Sequence, residues 1–442
     1  MFELFVLIIL LLFFIFIGVP VAFSLGITAV IGISVFLSPA QLSQMVNISY
    51  SHGTSFTLMV APLFILMSEF ISGGGISKDI FSVLSRWFKR LPGGLAISNV
   101  FACTVFAALC GSSPVTAVTI GKISIPEMIK NGYDRSFSIG STVAGGNIGI
   151  LIPPSLSLII FGIITETSIS RLFMAGIVPG LLLAVALSIY IYIRVKLNPS
   201  LGGLSTNKIL SDKVSPEASV STEKLASLLR DLAVIWPIFM LIIVVLGSMY
   251  LGYVTPTEAA GVGAFGAFLI VFTMKRLTWS IFINVLRETS KTTAMLMFMI
   301  IFGLVFAYLV SSLGIPREVS NALVSIEASR WVILSVVLLF WMAAGCFLDP
   351  TGMIVISMPI LFPPLVELGF EPIWIGIIST LTICIGMITP PVGLNLYVVK
   401  GITNSSFEEV VSGSLPFLLV ILIVLLLLVL FPQIVMFVPN SM

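Results

Sequence analysis

Runs of about a dozen almost wholly apolar residues recur along this chain, as at 181–193 and 235–246. Such runs admit few folds. In hydrocarbon every backbone N–H and C=O must be bonded inside the structure, which leaves helices or closed barrels. A spanning barrel needs alternating polarity over about ten residues, and these runs do not alternate. The chain is 58% hydrophobic and 9% charged over 442 residues, against about 25% charged for a soluble domain. The bilayer is the solvent that suits it. At roughly 20 residues per crossing, the expectation is an all-α polytopic membrane protein with about ten spanning helices.

Several function classes fall away. A net charge of +2 gives no electrostatic footprint for nucleic acid. Cys103, Cys110, Cys346 and Cys384 lie singly in apolar stretches with no Cys-x-x-Cys pair, so they read as packing residues. One histidine, His52, is too few for haem, zinc or a proton relay. No cofactor is expected. Residues 1–17 have no Lys or Arg before them and so lack the start of a signal peptide; they read as a retained first span. Gly261-Val262-Gly263-Ala264-Phe265-Gly266 matches the dinucleotide fingerprint, but no strand precedes it. No Gly-x-x-x-x-Gly-Lys-Ser/Thr loop occurs either, so this chain does not draw on ATP.

The polar stretch 198–230 divides the chain into halves 1–197 and 231–442, and the halves repeat. Gly132 precedes Pro153-Pro154 by the same twenty-one residues that separate Gly369 from Pro390-Pro391. Gly111-Ser112-Ser113-Pro114 faces Gly345-Cys346-Phe347-Leu348-Asp349-Pro350, and Gly75-Ile76-Ser77-Lys78 resembles Gly314-Ile315-Pro316-Arg317. The expectation for each half is a re-entrant hairpin (about 97–125 and 332–364) followed by a broken helix (about 136–164 and 372–400). Most Lys and Arg fall on one side if the N-terminus is outside, leaving Arg171, Arg317 and Arg330 as exceptions. Each half then crosses about five times. An odd number inverts the second repeat relative to the first, as in secondary transporters. Two amphipathic stretches, 76–90 and 277–291, mix Trp, Phe and Leu with Lys and Arg. They read as interface-plane helices in similar places in each half.

The Pro-Pro pairs carry the chemistry. Proline removes a helix hydrogen bond, and opened carbonyls at membrane depth are tolerated only against protein or a cavity. Carbonyls with Ser or Thr hydroxyls suit a hard cation such as Na⁺. Stretch 145–157 offers them in the first half and 386–395 in the second. The hairpin tips, 110–116 and 345–352, present helix ends that suit a carboxylate. Ser112, Ser113, Thr116, Asn147 and Thr351 could serve either ion. Structural kinks and small-residue packing are the alternatives. Asp349, ahead of Pro350 in an apolar hairpin, reads as a functional group or as a helix N-cap, and the two are compatible. Glu69, Glu166, Glu258 and Glu367 read as solvated span ends, and Lys122 as a snorkelling residue. The reading is an ion-coupled carrier. An intramembrane enzyme lacks a catalytic set, because Asp349 has no charged partner in sight.

Gly18-Val19-Pro20-Val21-Ala22-Phe23, the Gly-Ser-Ser-Pro tip, Ile152-Pro153-Pro154-Ser155 and Thr389-Pro390-Pro391-Val392-Gly393-Leu394-Asn395 together resemble the large membrane subunit of tripartite ATP-independent periplasmic (TRAP) transporters, over nearly the whole chain. The resemblance implies Na⁺-driven import of an organic acid, of the C4-dicarboxylate or sialic acid class, across a bacterial or archaeal cytoplasmic membrane. It implies a periplasmic binding protein and a small four-helix membrane subunit as partners, the latter on a separate chain, and an elevator motion of a transport body against a scaffold. It places one Na⁺ site at Ser112, Gly149, Ile152 and Pro154. The second falls at Gly345, Asp349, Thr351, Gly386, Met387 and Thr389. Substrate falls near Ser113, Asn147, Ser155 and Asn395. Cys110 departs from the small polar residue expected there. A self-sufficient Na⁺/anion symporter of the same architecture is the alternative.

Overall fold

The computed structural model describes residues 2–203, 222–324 and 329–442. Apart from one isolated bridge, Tyr133 to Gly202, the described residues form helices, turns and loops. The first half runs α1 (Phe2–Phe16), α2 (Val21–Phe36), α3 (Leu42–Gly53), α4 (Val60–Gly73), α5 (Ile76–Phe88), α6 (Gly94–Cys110), α7 (Ser113–Lys130), α8 (Arg135–Gly146), a 3₁₀ turn (Asn147–Ile150), α9 (Leu156–Ile164) and α10 (Ile169–Leu197). The second runs α11 (Thr222–Tyr250), α12 (Pro256–Thr273), α13 (Trp279–Ser312), α14 (Ile315–Val324), α15 (Arg330–Gly345), α16 (Pro350–Glu367), α17 (Pro372–Gly386), α18 (Leu394–Thr403), α19 (Phe407–Leu430) and α20 (Pro432–Met436).

Local chemistry sets the helix ends, and it recurs at a fixed offset of 237 residues. Asp134 caps α8 by accepting from Phe137 N at 2.8 Å, and Glu371 caps α17 by accepting from Trp374 N at 2.7 Å. A carboxylate there satisfies a free N–H and meets the positive end of the helix dipole. Gly132 and Gly369, two residues before each cap, have φ of 80° and 82°. α7 and α16 both begin with a proline in the first two positions, where its missing N–H costs nothing. The Pro153-Pro154 and Pro390-Pro391 bonds are both cis.

The halves interlock. α4 packs along α12, and at the same offset α13 packs along α2. The body that holds the broken helices is closed by α8 against α19, where Gly140 lies against the Gly413 carbonyl and Gly413 against the Ser136 carbonyl. With no hydrophobic drive between helices in lipid, such backbone-to-backbone approach is what small residues make available. An ion pair, Arg276 to Asp79 at 2.5 Å, ties the corner after α12 to α5.

Among the described residues six helices are long and apolar enough to cross a membrane: the segment Phe56–Gly73 that contains α4, then α10, α12, α13, α16 and α19. The hairpin arm α6 and the broken helix α17 are among the shorter apolar helices, as interrupted segments must be.

Two details differ from the sequence reading. α11 starts at Thr222, inside the stretch taken as a connector; polar side chains do not by themselves end a helix, and residues 222–230 contain neither Gly nor Pro. Residues 204–221 of the connector lie outside the described residues. The amphipathic stretch 277–291 is no separate interfacial helix. It forms the first part of the 34-residue α13, and the counterpart of α5 is α14. Polarity was read as an interface where the helix simply continues with no Gly or Pro to break it.

Candidate functional site

The site forms where each hairpin tip meets a broken helix. In the first half the tip is Gly111-Ser112, between α6 and α7. Gly111 has φ +65°, and its Cα lies against the Pro154 carbonyl, so a side chain would be strained in backbone and blocked in space. The Gly111 carbonyl accepts from Leu156 N at 3.2 Å. In the second half the matching amide, Gly393 N, donates to the Cys346 carbonyl at 2.9 Å. Each tip is thereby tied to the far end of its neighbour's unwound stretch.

Across the first tip lies Gly149. A Cβ added there would stand 2.9 Å from both the Ser112 carbonyl oxygen and Thr116 Oγ1. Thr116 is buried, and its hydroxyl has no hydrogen-bond partner. A bare glycine face, a carbonyl and an orphaned hydroxyl therefore border one small space. A buried oxygen without a partner is costly, and a hard cation would satisfy it. Ile152 N donates to the Ile148 carbonyl at 3.3 Å, and the Pro154 carbonyl lies against Gly111. The sequence signal for Thr116 is its place one turn past the tip.

The second set is packed more tightly. Gly386 lies on the backbone of Gly345, with a would-be Cβ 2.6 Å from the Gly345 carbonyl carbon. The Met387 carbonyl accepts from Asn395 N at 3.1 Å. The Thr389 hydroxyl donates to Ile385 O at 2.7 Å. Asp349 is the N-cap of α16: it accepts from Thr351 N at 3.1 Å and Gly352 N at 3.3 Å, and from the Thr351 hydroxyl. Its carboxylate is thus turned onto its own helix.

Between the two sets three fully buried side chains converge. Asn395 Nδ2 donates to Ser113 Oγ at 2.6 Å and to Asn147 Oδ1 at 2.8 Å, and Ser113 Oγ donates to Asn147 Oδ1 at 3.3 Å. Asn147 Nδ2 donates to the Cys384 carbonyl at 3.0 Å. Asn395 Oδ1 is left with no partner. Ser155, also buried, caps α9 through Leu158 N at 3.4 Å and makes no hydrogen bond to this cluster. A further polar contact escaped the sequence reading: Asn99 on α6 donates to Ser141 Oγ at 3.2 Å and Thr142 Oγ1 at 3.1 Å on α8. Its signal was a lone amide in an apolar hairpin arm. Among the described residues no group of three His, Cys, Asp or Glu could hold a metal.

Paired hairpins against broken helices in a polytopic helical body define a membrane transporter rather than an enzyme. The family model of the tripartite ATP-independent periplasmic transporter, DctM component, matches residues 8–434, and the chain belongs to that family. It is 37% identical to the C4-dicarboxylate TRAP transporter large permease protein DctM of Pseudomonas aeruginosa, over 94% of each chain. It is 32% identical to the isethionate TRAP transporter permease protein DctMQ of Oleidesulfovibrio alaskensis, over 96% of this chain and 64% of that one. Among solved structures it shares its fold with the YdaH transporter of Alcanivorax borkumensis, with a TM-score of 0.56, 14% identity and 89% of each chain covered.

Proposed function

We propose that this chain is the Na⁺-coupled translocating subunit of a TRAP transporter that imports a small organic acid. The observation that carries the coupling is the space between Gly149, the Ser112 carbonyl and the orphaned Thr116 hydroxyl. It offers oxygens to a cation without burying a formal charge, which is what a hydrocarbon-embedded site requires. A second Na⁺ is assigned to the backbone of Gly345, Gly386 and Met387 with Thr351 and Thr389, with Asp349 holding Thr351 in place. Substrate is assigned to the region of Ser113, Asn147, Ser155 and Asn395.

The substrate class we assign is a C4-dicarboxylate, with sialic acid as the other class. The support is the 37% identity to the Pseudomonas aeruginosa protein along the length of both chains. The partners are a periplasmic binding protein, which delivers the acid, and a small four-helix membrane subunit. The Oleidesulfovibrio alaskensis relative, whose name joins M to Q, extends well beyond the segment matched here, which supports a small-subunit partner. The chain works in a bacterial or archaeal cytoplasmic membrane with its N-terminus outside. The 237-residue recurrence of caps, glycines and Pro-Pro pairs supports two inverted repeats. The body of α6–α10 with α15–α19 would then move as an elevator against α1–α4 and α11–α13.

The test is uptake of labelled succinate, and of labelled sialic acid, into proteoliposomes under an inward Na⁺ gradient. Succinate uptake that needs both partner proteins is expected. Uptake by this chain alone would make it a self-sufficient symporter. Sialic acid uptake without succinate uptake would move the substrate class.

A further inference from the structure

The amide of Asn147 joins the two breaks. It lies two residues before Gly149 in the first unwound stretch. Cys384, whose carbonyl it holds at 3.0 Å, lies two residues before Gly386 in the second. That carbonyl is available because α17 ends there. Ile388 N bonds to Ile385 O at 3.2 Å rather than to residue 384, and Thr389 N bonds to Gly386 O at 2.9 Å. The helical ladder slips, and the released carbonyl is taken up by the side chain of Asn147. On its other side, Asn147 Oδ1 accepts from Ser113, the residue next to Ser112, and from Asn395, whose backbone N bonds to Met387 O. Every polar atom of this one buried side chain is thus committed, and its bonds lead to both sets of cation oxygens.

We infer that Asn147 is a positioning residue that couples the two cation sites, so that filling one presets the other and Na⁺ binds cooperatively. This rests on the Na⁺ reading above. A cation drawing in Ser112 O and Thr116 Oγ1 fixes the Gly146–Gly149 backbone. That fixes the Asn147 amide, and the amide holds the Cys384 carbonyl and Asn395 at the register in which the Gly386–Met387 carbonyls are presented. Packed elements of this kind have discrete arrangements rather than graded ones. A coupling of ordinary size changes the affinity of the second site by about 5–150-fold.

The experiment is equilibrium binding of ²²Na⁺ to the purified full-length chain in nanodiscs. The variants are wild type, Asn147→Ala, Thr116→Val and the double variant, with melting temperature followed alongside. Wild type is expected to bind with a Hill coefficient well above 1, and Asn147→Ala with one near 1. Thr116→Val should weaken the remaining site about 5–150-fold in the wild-type background and leave it unchanged in the Asn147→Ala background. A merely structural role for Asn147 would not remove that difference. If Asn147→Ala does not fold, Asn395→Ala takes one bond from the same amide and should lower the Hill coefficient partway. A wild-type Hill coefficient near 1 overturns the coupling. So does a coefficient unchanged in Asn147→Ala, or in Asn395→Ala where that variant stands in. Wild type that binds no Na⁺ overturns the Na⁺ reading itself and the coupling with it.

Discussion

Asn147 and Cys384 are hydrogen-bonded partners, 3.0 Å apart, and they also occupy equivalent places in the two repeats, 237 residues apart. The repeat therefore meets itself at this contact, yet the two residues differ. One gives a side-chain donor and the other gives only its backbone carbonyl. The polar groups at the centre come mostly from the first half. Ser113 faces Pro350 in the repeat, and Asn147 faces Cys384.

If Cys384 acts through its carbonyl, Cys384→Ala keeps transport within about twofold of wild type. The loss of one packed atom should cost about 1 kcal/mol, read as a small drop in melting temperature. Loss of transport in a folded Cys384→Ala protein would mean that the thiol itself takes part.

The first cation site, as proposed, makes opposite forecasts for neighbouring residues. In the proposed site Ser112 meets Gly149 through its carbonyl, so Ser112→Ala should leave Na⁺ affinity within about threefold. Gly149→Ala puts a carbon 2.9 Å from two of the oxygens, and Thr116→Val removes one of them. Each should lower Na⁺ affinity at least tenfold, about 1.4 kcal/mol, in ²²Na⁺ binding. A large loss for Ser112→Ala with none for Thr116→Val would reverse the ligand assignment.

Asp349 caps α16 through Thr351 and Gly352. Asp349→Ala should destabilise the chain by about 1 kcal/mol, while Asp349→Asn, an equally good cap, should keep near-native melting and Na⁺ affinity. A tenfold fall in Na⁺ affinity for Asp349→Asn at unchanged stability would put the carboxylate in the cation shell.

Trp341 in α15 donates through Nε1 to Ser357 Oγ in α16 at 3.0 Å, with the indole buried. Hydrogen bonds between membrane helices average about 0.6 kcal/mol. Trp341→Phe and Ser357→Ala should therefore each cost little, and a double-mutant cycle should return a coupling of about that size. A coupling above 2 kcal/mol would make this bond a main holder of the second hairpin.

The sequence was most readable where the backbone is forced. The Pro-Pro pairs, the paired glycines 132 and 369, and the prolines after each tip announced the hairpins and breaks, because few backbone conformations accept those residues. Acidic caps at Asp134 and Glu371 fit the same logic. What stayed hidden depends on neighbours distant in the chain. That the buried Thr116 hydroxyl borders the glycine face follows from the approach of Gly149. That Asn147 serves the protein with all its polar atoms follows from where α17 unwinds. The long α13 was misread for a different reason: polarity along a helix marks which face meets water, and it does not say where the helix stops.

In the proposed function anion movement is tied to Na⁺ through this chain. The most direct measurement is simultaneous flux of ²²Na⁺ and labelled succinate in proteoliposomes carrying the complete transporter, with wild type set against Gly149→Ala. Succinate entry is expected to require inward Na⁺, Na⁺ to enter in fixed ratio with it, and both fluxes to fall together in Gly149→Ala. Succinate entry at an undiminished rate in Na⁺-free medium driven by another gradient would contradict it.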